Sequence, residues 1–198
     1  MSYPTTRVVT AIFFAVCVTP GFAVASSPTE QIRETIRQVV SVANSPEAGN
    51  ETARKQALRD SLMPRFDWAE MAKQALGKHW QGVSARQNEF IAAFADFLGN
   101  SYVGKIGSYK DEKIVFVQET VTENVAEVKT RIVPTRGDPT SVNYQLHQVQ
   151  GDWKIFDVVV EDISLVVNYR SQFSRILAKG SFDDLLRQLK EKEQTQRN

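Results

Sequence analysis

Few side chains in this sequence combine the types and the spacing that catalysis requires. The two histidines, His79 and His147, lie far apart, at the end of a predicted helix and on the polar side of a predicted strand, where surface roles are favoured. No serine has the glycine-flanked setting of a nucleophile elbow, and the single cysteine, Cys17, lies near the N-terminus. No group of residues has the ligand spacing of a metal site. The pattern predicts neither an enzyme nor a metalloprotein, and it implies no cofactor.

Two pairs of acidic residues, Glu161–Asp162 and Asp183–Asp184, are adjacent in sequence, and neither pair is arranged for shared acid–base chemistry. Asp183 and Asp184 open a predicted helix, where neighbours point in different directions and where negative charge complements the helix N-terminus.

A hydrolase would instead need a polar group at the mouth of a cavity. The side chains that could form one are Tyr102, Tyr109, Asp157 and Arg170.

Asp157 breaks the pattern of an otherwise apolar strand. It shares the parity of Trp153 and Ile155, and an isolated buried carboxylate is unstable without a partner. Arg170, on the helix that follows, is the predicted partner. The pair is expected to form a structural clamp between strand and helix, with contact to a ligand headgroup as the alternative role.

The N-terminal segment has the features of a cleaved export signal. Arg7 precedes an apolar run from Val8 to Val18, which is shorter than the roughly 20 residues that span a bilayer. Ala23-Val24-Ala25 is a small-x-small cleavage pattern. We expect cleavage after Ala25 and a single exported domain over residues 26–198.

The charge of that domain is balanced. The chain has 24 Lys and Arg against 23 Asp and Glu, and the signal segment contains only one of these residues, Arg7. A net charge near zero argues against nucleic-acid binding, which needs a basic face. The domain contains no cysteine, so no disulfide is expected.

Periodicity divides the domain into helices and strands. Apolar residues at helical spacing predict the first half, 28–109, to be helical, with Asp67 as an N-cap, Gly77 as a stop signal and a capping box at Ser84 and Gln87 that opens a long helix. The predicted helices cover 28–44, 51–63, 67–76, 84–109, 164–179 and 182–190, the last two within a C-terminal region ending at 192. The predicted strands cover 113–120, 125–134, 140–149 and 153–160.

The expected class is α+β. Clean alternation in the second and third strands indicates an antiparallel meander with one wet and one apolar face. The fourth strand is apolar on both faces, which places it centrally or under a helix. We predict a twisted antiparallel sheet of four or slightly more strands, packed with about six to seven helices.

The predicted apolar faces are rich in aromatic and branched side chains. They either meet as an ordinary core or leave a cavity between them, and spacing alone fits both. The residues expected to face this interior are Phe90, Phe94, Phe97, Leu98, Tyr102 and Ile106 of the long helix, Phe116, Val128, Ile132, Tyr144, Leu146 and Ile155 of the sheet, and Val166, Tyr169 and Phe173 of the following helix.

The chain resembles the MlaC, or toluene-tolerance, family of periplasmic phospholipid-binding proteins. The resemblance covers roughly residues 30–190, and its motifs occur in order: FDWAEMAKQALGKHW, SARQNEFIAAFADFLGNSY, WKIFDVVVEDISLVVNYRSQF and FDDLLRQLK. One departure is Asp162, which stands where members usually have glycine, and which suggests a subgroup such as the hopanoid-associated members.

The resemblance implies an apolar pocket that holds phospholipid acyl tails as cargo. It also implies shuttling between an outer-membrane lipoprotein complex and an inner-membrane ABC transporter complex. Burying the tails is physically necessary for a soluble carrier, because exposing a sixteen-carbon chain costs on the order of 10 kcal/mol at ~0.8 kcal/mol per CH₂. We expect a monomer. The alternatives are an exported module that acts by protein–protein docking, and a carrier of a hopanoid-related lipid.

Overall fold

The computed structural model describes residues 26–45, 51–106 and 112–197. Its α-helices in these ranges are α1 (Pro28–Ala43), α2 (Glu51–Leu62), α3 (Trp68–Leu76), α4 (Gln87–Ile106), α5 (Leu165–Leu177) and α6 (Phe182–Arg197). Short 3-10 turns join α2 to α3 and α3 to α4. The export signal predicted for residues 1–25 lies outside the described residues.

One antiparallel sheet follows the first four helices. Its strands are β1 (Lys113–Thr122), β2 (Val125–Val133), β3 (Thr140–Val149), β4 (Asp152–Val160) and β5 (Ile163–Ser164), in the spatial order β1-β2-β3-β4-β5. Neighbours in sequence are therefore neighbours in space, as short connections require of a meander. The α+β class and the antiparallel sheet are confirmed, and β5 is a short fifth strand.

Local signals set several of the element boundaries. The Asp67 side chain accepts a hydrogen bond from the backbone N–H of Glu70 at 2.9 Å and caps α3, as predicted. Gly77 ends this helix with a φ of 53°, a conformation that glycine adopts without a Cβ penalty. Ser164 accepts a hydrogen bond from the N–H of Val167 at 3.1 Å and begins α5.

The predicted capping box at Ser84 is not formed. Residues Gln81–Arg86 form a 3-10 segment, and α4 begins at Gln87. The Gln87 amide donates instead to the carbonyl of Trp80 at 3.1 Å, so it is directed at the preceding turn. The prediction failed because the side chain found a backbone acceptor that sequence spacing does not reveal.

Helix α6 is longer than predicted. It continues past residues 190–192 to Arg197, because the segment is rich in the good helix formers Lys, Glu and Gln and contains no glycine or proline. No helix among the described residues is both long enough and apolar enough to cross a membrane.

The interior consists of two apolar clusters rather than one. The helical core is built by α3, α4, α5 and α6 around residues such as Met71, Phe94 and Leu185. The sheet core lies between α1 and the sheet and includes Ile32 and Leu146. Helix α2 packs on both α1 and α4, so it connects the two layers at one side.

Phe66 is in contact with both cores. It forms an isolated parallel bridge with Ile155 of β4, and the next residue, Asp67, donates its N–H to the Ile155 carbonyl at 2.8 Å. The segment before α3 is thereby attached to the edge of β4 that β3 leaves free. This attachment positions the helical core beside the sheet.

Candidate functional site

Five of the predicted interior residues meet in one aromatic cluster. Phe90, Phe94 and Phe97 of α4 lie against Tyr169 and Phe173 of α5, and these five residues are called the α4–α5 aromatic cluster. The ring centroid of Phe94 is 5.6 Å from that of Tyr169 and 5.5 Å from that of Phe173, at interplanar angles of 77° and 79°. Edge-to-face pairs of this kind contribute ~0.5–1.5 kcal/mol beyond burial. Leu98 and Val166 belong to the same core.

Tyr169 brings a polar group into this aromatic surface. Burial, the nearby Tyr102 and a hydrogen bond with Tyr102 raise the pKa of Tyr169 well above its ordinary value. The phenol is therefore neutral at physiological pH. An uncharged hydroxyl can bond to a polar atom without the desolvation penalty that a buried ion would suffer.

The predicted sheet residues form a separate group. Val128, Leu146 and Ile155 are buried in the sheet core, with Phe116 and Tyr144 packed against it. The face is covered by α1 through Ile32 and Ile36. The sequence predicted that the apolar faces of the long helix and of the sheet surround one interior, whereas α4 packs mainly on α6, α3 and α2. The two halves of the predicted interior thus belong to different cores.

Exposure divides the predicted residues further. Phe90, Phe94, Val128 and Val166 have 0% of their surface accessible, and Leu146 has 1%. A side chain without accessible surface borders no space that admits a water molecule, so these five are packed core in this conformation. The predicted residues that are only half-buried are Tyr102, Phe116, Ile132, Tyr144 and Tyr169.

Two residues considered from the sequence are not covered by this comparison. The Ile106 side chain and Tyr109 lie outside the part of the chain whose side chains are described.

Asp157 has other partners than the predicted one. It is 8% exposed, and its carboxylate accepts hydrogen bonds from the N–H of Val158 at 2.8 Å, the N–H of Val166 at 3.1 Å and the hydroxyl of Ser164 at 2.5 Å. Two of these donors belong to the start of α5, where a negative charge is favoured. Three donors satisfy the carboxylate, so it needs no cation.

Arg170 is used at a different place. Its Nε donates to the carbonyl of Gln74 at 2.6 Å, and its Cδ lies 3.2 Å from the position that a Cβ on Gly77 would occupy. The guanidinium therefore covers the C-terminal end of α3, where cations are favoured. The predicted clamp between Asp157 and Arg170 is wrong for the described structure. Asp157 binds the start of α5, whereas Arg170, which lies on α5, binds the end of α3.

A contact that sequence reasoning missed joins the sheet to α3. Nε2 of His147 lies 2.9 Å from Oδ2 of Asp67, and the His147 ring lies on Phe156 with centroids 5.1 Å apart. His147 thus has the structural surface role that its position favoured. Its strand position alone could not indicate this partner, because Asp67 is distant in sequence.

A groove open to solvent lies between α5 and α6. It has a volume of about 580 Å³ and its charged lining residues are Arg175, Lys179, Asp184 and Arg187. We call it the α5–α6 groove. The backbone N–H and the hydroxyl of Ser181 donate hydrogen bonds to Asp184, and Arg187 donates a further one. Together these bonds lower the pKa of Asp184 to about 2, so the carboxylate is ionised and its oxygens already have partners.

The groove adjoins a small apolar gap. Ile176, Gln172 and Gln188 line both spaces. The gap has a volume of about 20 Å³, room for about one water molecule. Its apolar walls are Phe97, Tyr169 and Phe173 of the α4–α5 aromatic cluster together with Leu185 and Leu189 of α6. We call this space the inner gap.

Metal chemistry has no support in the described part of the chain. No group of three or more His, Cys, Asp or Glu side chains is close enough there to hold an ion.

Comparison with known proteins identifies one family. Residues 33–191 match the family described as MlaC protein. A relative from Haemophilus influenzae, named intermembrane phospholipid transport system binding protein MlaC, is 22% identical over 140 residues, which are 68% of this chain and 65% of the relative. The chain therefore spans about 65% of the length of the curated relative that it matches.

A solved structure shares the fold. It is a phospholipid-binding protein from Ralstonia solanacearum in complex with a phospholipid, with a TM-score of 0.76 and 18% identity over 87% of this chain and 100% of that chain. Because the family match extends over most of the sequence and the fold agrees with it, this protein belongs to the MlaC protein family.

Proposed function

We propose that this protein is a periplasmic phospholipid-binding carrier, which shuttles lipid between outer- and inner-membrane complexes of an ABC-type lipid transport system. The observation that carries the proposal is the family match over residues 33–191. The relative from Haemophilus influenzae is named as the binding protein of such a system, and the Ralstonia solanacearum protein was solved with a phospholipid. In this role the protein is not an enzyme.

The described interior has the chemistry that acyl tails need. The α4–α5 aromatic cluster and the sheet core are apolar, and the half-buried side chains among the predicted residues are aromatic or branched: Tyr102, Phe116, Ile132, Tyr144 and Tyr169. We assign the lipid-facing surface to these five, because they retain accessible surface. A phospholipid needs many apolar contacts and few fixed polar ones, since its headgroup can stay in water.

Export and partners follow from the same family. MlaC proteins are periplasmic, and the predicted signal with cleavage after Ala25 would deliver the chain there. The balanced charge of the mature domain is suited to brief docking on two membrane complexes by a monomer.

The direct test is the lipid content of the protein as it is exported. We expect mass spectrometry of the mature chain, purified from the periplasm without detergent, to find close to one equivalent of phospholipid. The purified protein should also move a labelled phospholipid from donor to acceptor vesicles at a rate proportional to its concentration. Repeated preparations without lipid and without transfer would contradict the proposal.

A charge placed on the lipid-facing surface tests the assignment. We expect Tyr144→Lys to reduce the co-purified phospholipid severalfold, because an ammonium group opposes burial of an acyl chain. Val121→Lys is the matched control, since Val121 is 47% exposed on β1. Circular dichroism would verify that both variants are folded, and an equal lipid content in all three proteins would refute the assignment.

One observation favours the docking alternative. Five of the predicted interior residues are almost completely buried in the two cores, as in a protein whose interior is packed and holds no ligand. An exported interaction module would bind membrane complexes while carrying no lipid, and a carrier of hopanoid-related lipids would yield that lipid class in the mass spectrum.

A further inference from the structure

The α5–α6 groove carries an excess of positive charge in a domain whose total charge is balanced. Its charged lining residues are Arg175, Lys179, Arg187 and Asp184. The Arg187 guanidinium binds Asp184, with Nη2 and Oδ1 2.6 Å apart, so these two charges neutralise each other. The groove therefore keeps two cations, whereas the whole chain has 24 Lys and Arg against 23 Asp and Glu.

The two remaining cations are available to a partner. The side chains of Arg175 and Lys179 are exposed and form no hydrogen bond or ion pair with the described residues. They lie four positions apart around the C-terminal end of α5, and both line the groove. Within the described part of the chain, the groove thus presents two positive charges that no carboxylate compensates.

The rest of the lining suits a peptide better than a small ion. Ile176 gives the groove an apolar wall, and the amides of Gln172 on α5 and Gln188 on α6 also line it. A glutamine amide can both donate to and accept from a peptide backbone. The volume of about 580 Å³ lies in the ~300–1,000 Å³ range of clefts that enclose drug-sized ligands. A short stretch of polypeptide with acidic and apolar side chains matches this lining.

The groove lies apart from the sheet side chains that we assign to lipid. Phe116, Ile132 and Tyr144 belong to β1, β2 and β3, whereas the groove is lined by α5, α6 and the turn between them. A protein docked at the groove therefore leaves these sheet residues free to hold or release lipid. A flat membrane surface cannot fill a concave site, which favours a protein segment as the occupant.

We propose that the α5–α6 groove is a docking site for an acidic segment of a protein partner, whose carboxylates bind Arg175 and Lys179 while an apolar side chain packs on Ile176. For the class of partner this inference rests on the proposed carrier function, because a carrier that moves lipid between two membrane complexes recognises proteins. Hydrogen bonds between cations and carboxylates are stronger than neutral ones. Local positive charge also accelerates the encounter with an acidic partner, and this effect weakens as salt rises.

The cations have a competing structural explanation. Arg175 lies in the last turn of α5, and positive charge near a helix C-terminus favours the helix. A purely structural role would change the melting temperature and would not distinguish an acidic from a neutral peptide. The test therefore compares peptides that differ only in charge.

The experiment is an NMR titration of the isotope-labelled mature protein with two peptides, acetyl-Glu-Leu-Glu-Glu-Leu-Glu-amide and its counterpart with glutamine at every glutamate position. We expect the acidic peptide to shift amides within residues 172–188, and the neutral peptide to bind about tenfold more weakly or less. Arg175→Gln combined with Lys179→Gln should weaken binding of the acidic peptide by about tenfold or more.

The matched control is Lys113→Gln combined with Arg131→Gln. It removes one lysine and one arginine that are exposed on β1 and β2, so it changes the net charge by the same amount. Binding of the acidic peptide should equal that of the wild type.

Charge reversal separates recognition from folding. Arg175→Glu combined with Lys179→Glu should lose the acidic peptide and bind the corresponding peptide with lysine at every glutamate position, which the wild type rejects. A variant that merely unfolds would gain no such affinity, and circular dichroism would record its fold.

Several results would overturn the docking assignment: equal affinity for the acidic and neutral peptides, amide shifts only outside the groove, the same loss of binding in the control variant, or equal shifts with inorganic phosphate alone. A groove variant that loses binding to phosphatidylglycerol vesicles but keeps the acidic peptide would assign the cations to a membrane surface, and would overturn it as well.

The carrier function is measured separately, as co-purified phospholipid, which both groove variants should retain at the wild-type level. Absence of peptide binding in a wild-type protein that contains lipid removes the groove assignment alone. A wild-type protein that binds the acidic peptide at the groove but contains no phospholipid supports the docking site and contradicts the carrier function.

Discussion

Asp157 shows how a buried charge can be stabilised by donors alone. Its three hydrogen bonds come from two backbone N–H groups and one hydroxyl. A carboxylate bound in this way connects β4 to the start of α5 without an ion pair. The sequence correctly marked the residue as one that needs partners, but it named a cation where the fold supplies a helix N-terminus.

We expect Asp157→Ala to lower the free energy of unfolding by about 2–4 kcal/mol, because it leaves buried donors without an acceptor. Urea denaturation monitored by circular dichroism measures this. Asp152→Ala is the matched control on the same strand, where an exposed carboxylate should matter by less than about 0.5 kcal/mol. Equal stability of the Asp157→Ala protein and the wild type would contradict the three-donor account.

Asp184 provides a prediction of pH dependence. Its pKa is lowered to about 2 from an ordinary value of 3.8, so the folded protein favours the ionised form more than the unfolded chain does. Its contribution to stability is therefore present above pH 3.8 and is lost as the pH falls toward 2. The excess stability of wild type over Asp184→Asn should be constant near neutral pH.

Below about pH 4 the two proteins should converge in melting temperature, which thermal denaturation at a series of pH values would detect. Asp138→Asn, which removes an exposed carboxylate between β2 and β3, is the control. A difference between wild type and Asp184→Asn that persists unchanged at the lowest pH would argue against the Ser181 and Arg187 contacts.

At the scale of elements, the turn between β4 and β5 is under backbone strain. Glu161 and Asp162 both have positive φ, 47° and 61°, the geometry of a type I′ turn that favours glycine or asparagine. Glu161 is fixed by a hydrogen bond from its N–H to the carbonyl of Ser141 at 3.1 Å. Asp162 therefore carries a Cβ in a backbone conformation that glycine adopts without steric cost.

We expect Asp162→Gly to stabilise the fold by about 0.5–1 kcal/mol, because glycine adopts positive φ without steric cost. Asp162→Ala should destabilise it, since alanine has the same Cβ as aspartate but tolerates this region less well. Chemical denaturation of the three proteins would rank them. The reverse order, with alanine more stable than glycine, would show that the turn is not strained.

The pairing of strand β4 explains why alternation assigned Asp157 to the same face of the sheet as Ile155. Leu146 pairs with Ile155 and Gln145 pairs with Asp157, so Phe156 is an extra residue in β4. This irregularity shifts the parity, and Val158 rather than Asp157 aligns with Tyr144 and packs on the sheet core. A bulge changes no residue type and leaves no sign in the hydrophobic pattern.

At the scale of the whole molecule, Phe66 is a side chain that packs against both cores. Phe66→Ala should lower the free energy of unfolding by about 2–3 kcal/mol, less than a fully buried phenylalanine because Phe66 is half-buried. It should also uncouple the cores, so that amides of the helical core and of the sheet core exchange with different opening energies.

Phe116→Ala is the control for this experiment. Phe116 packs on the sheet core and lies under the Arg33 guanidinium, so its loss should lower stability while both cores still open together. Native-state hydrogen exchange distinguishes the two outcomes. A single cooperative opening in the Phe66→Ala protein would mean that the helical core and the sheet core are coupled elsewhere.

The sequence by itself determined the elements and the family. Helical and strand periods are local properties of the chain, so the six α-helices, the first four strands and the Asp67 and Gly77 boundaries were predictable, as was the ordered set of MlaC motifs. It also identified which side chains are apolar and interior, including all five members of the α4–α5 aromatic cluster.

Only the tertiary structure decided how those faces combine. Periodicity shows that a face is buried and does not show what covers it. The structure places α1, not α4, over the sheet, and it gives Asp157 and Arg170 separate partners. It also brings Arg175, Lys179 and Arg187 around one groove at the junction of α5 and α6. These arrangements depend on contacts between residues distant in sequence, and such contacts are selected by packing of the whole chain.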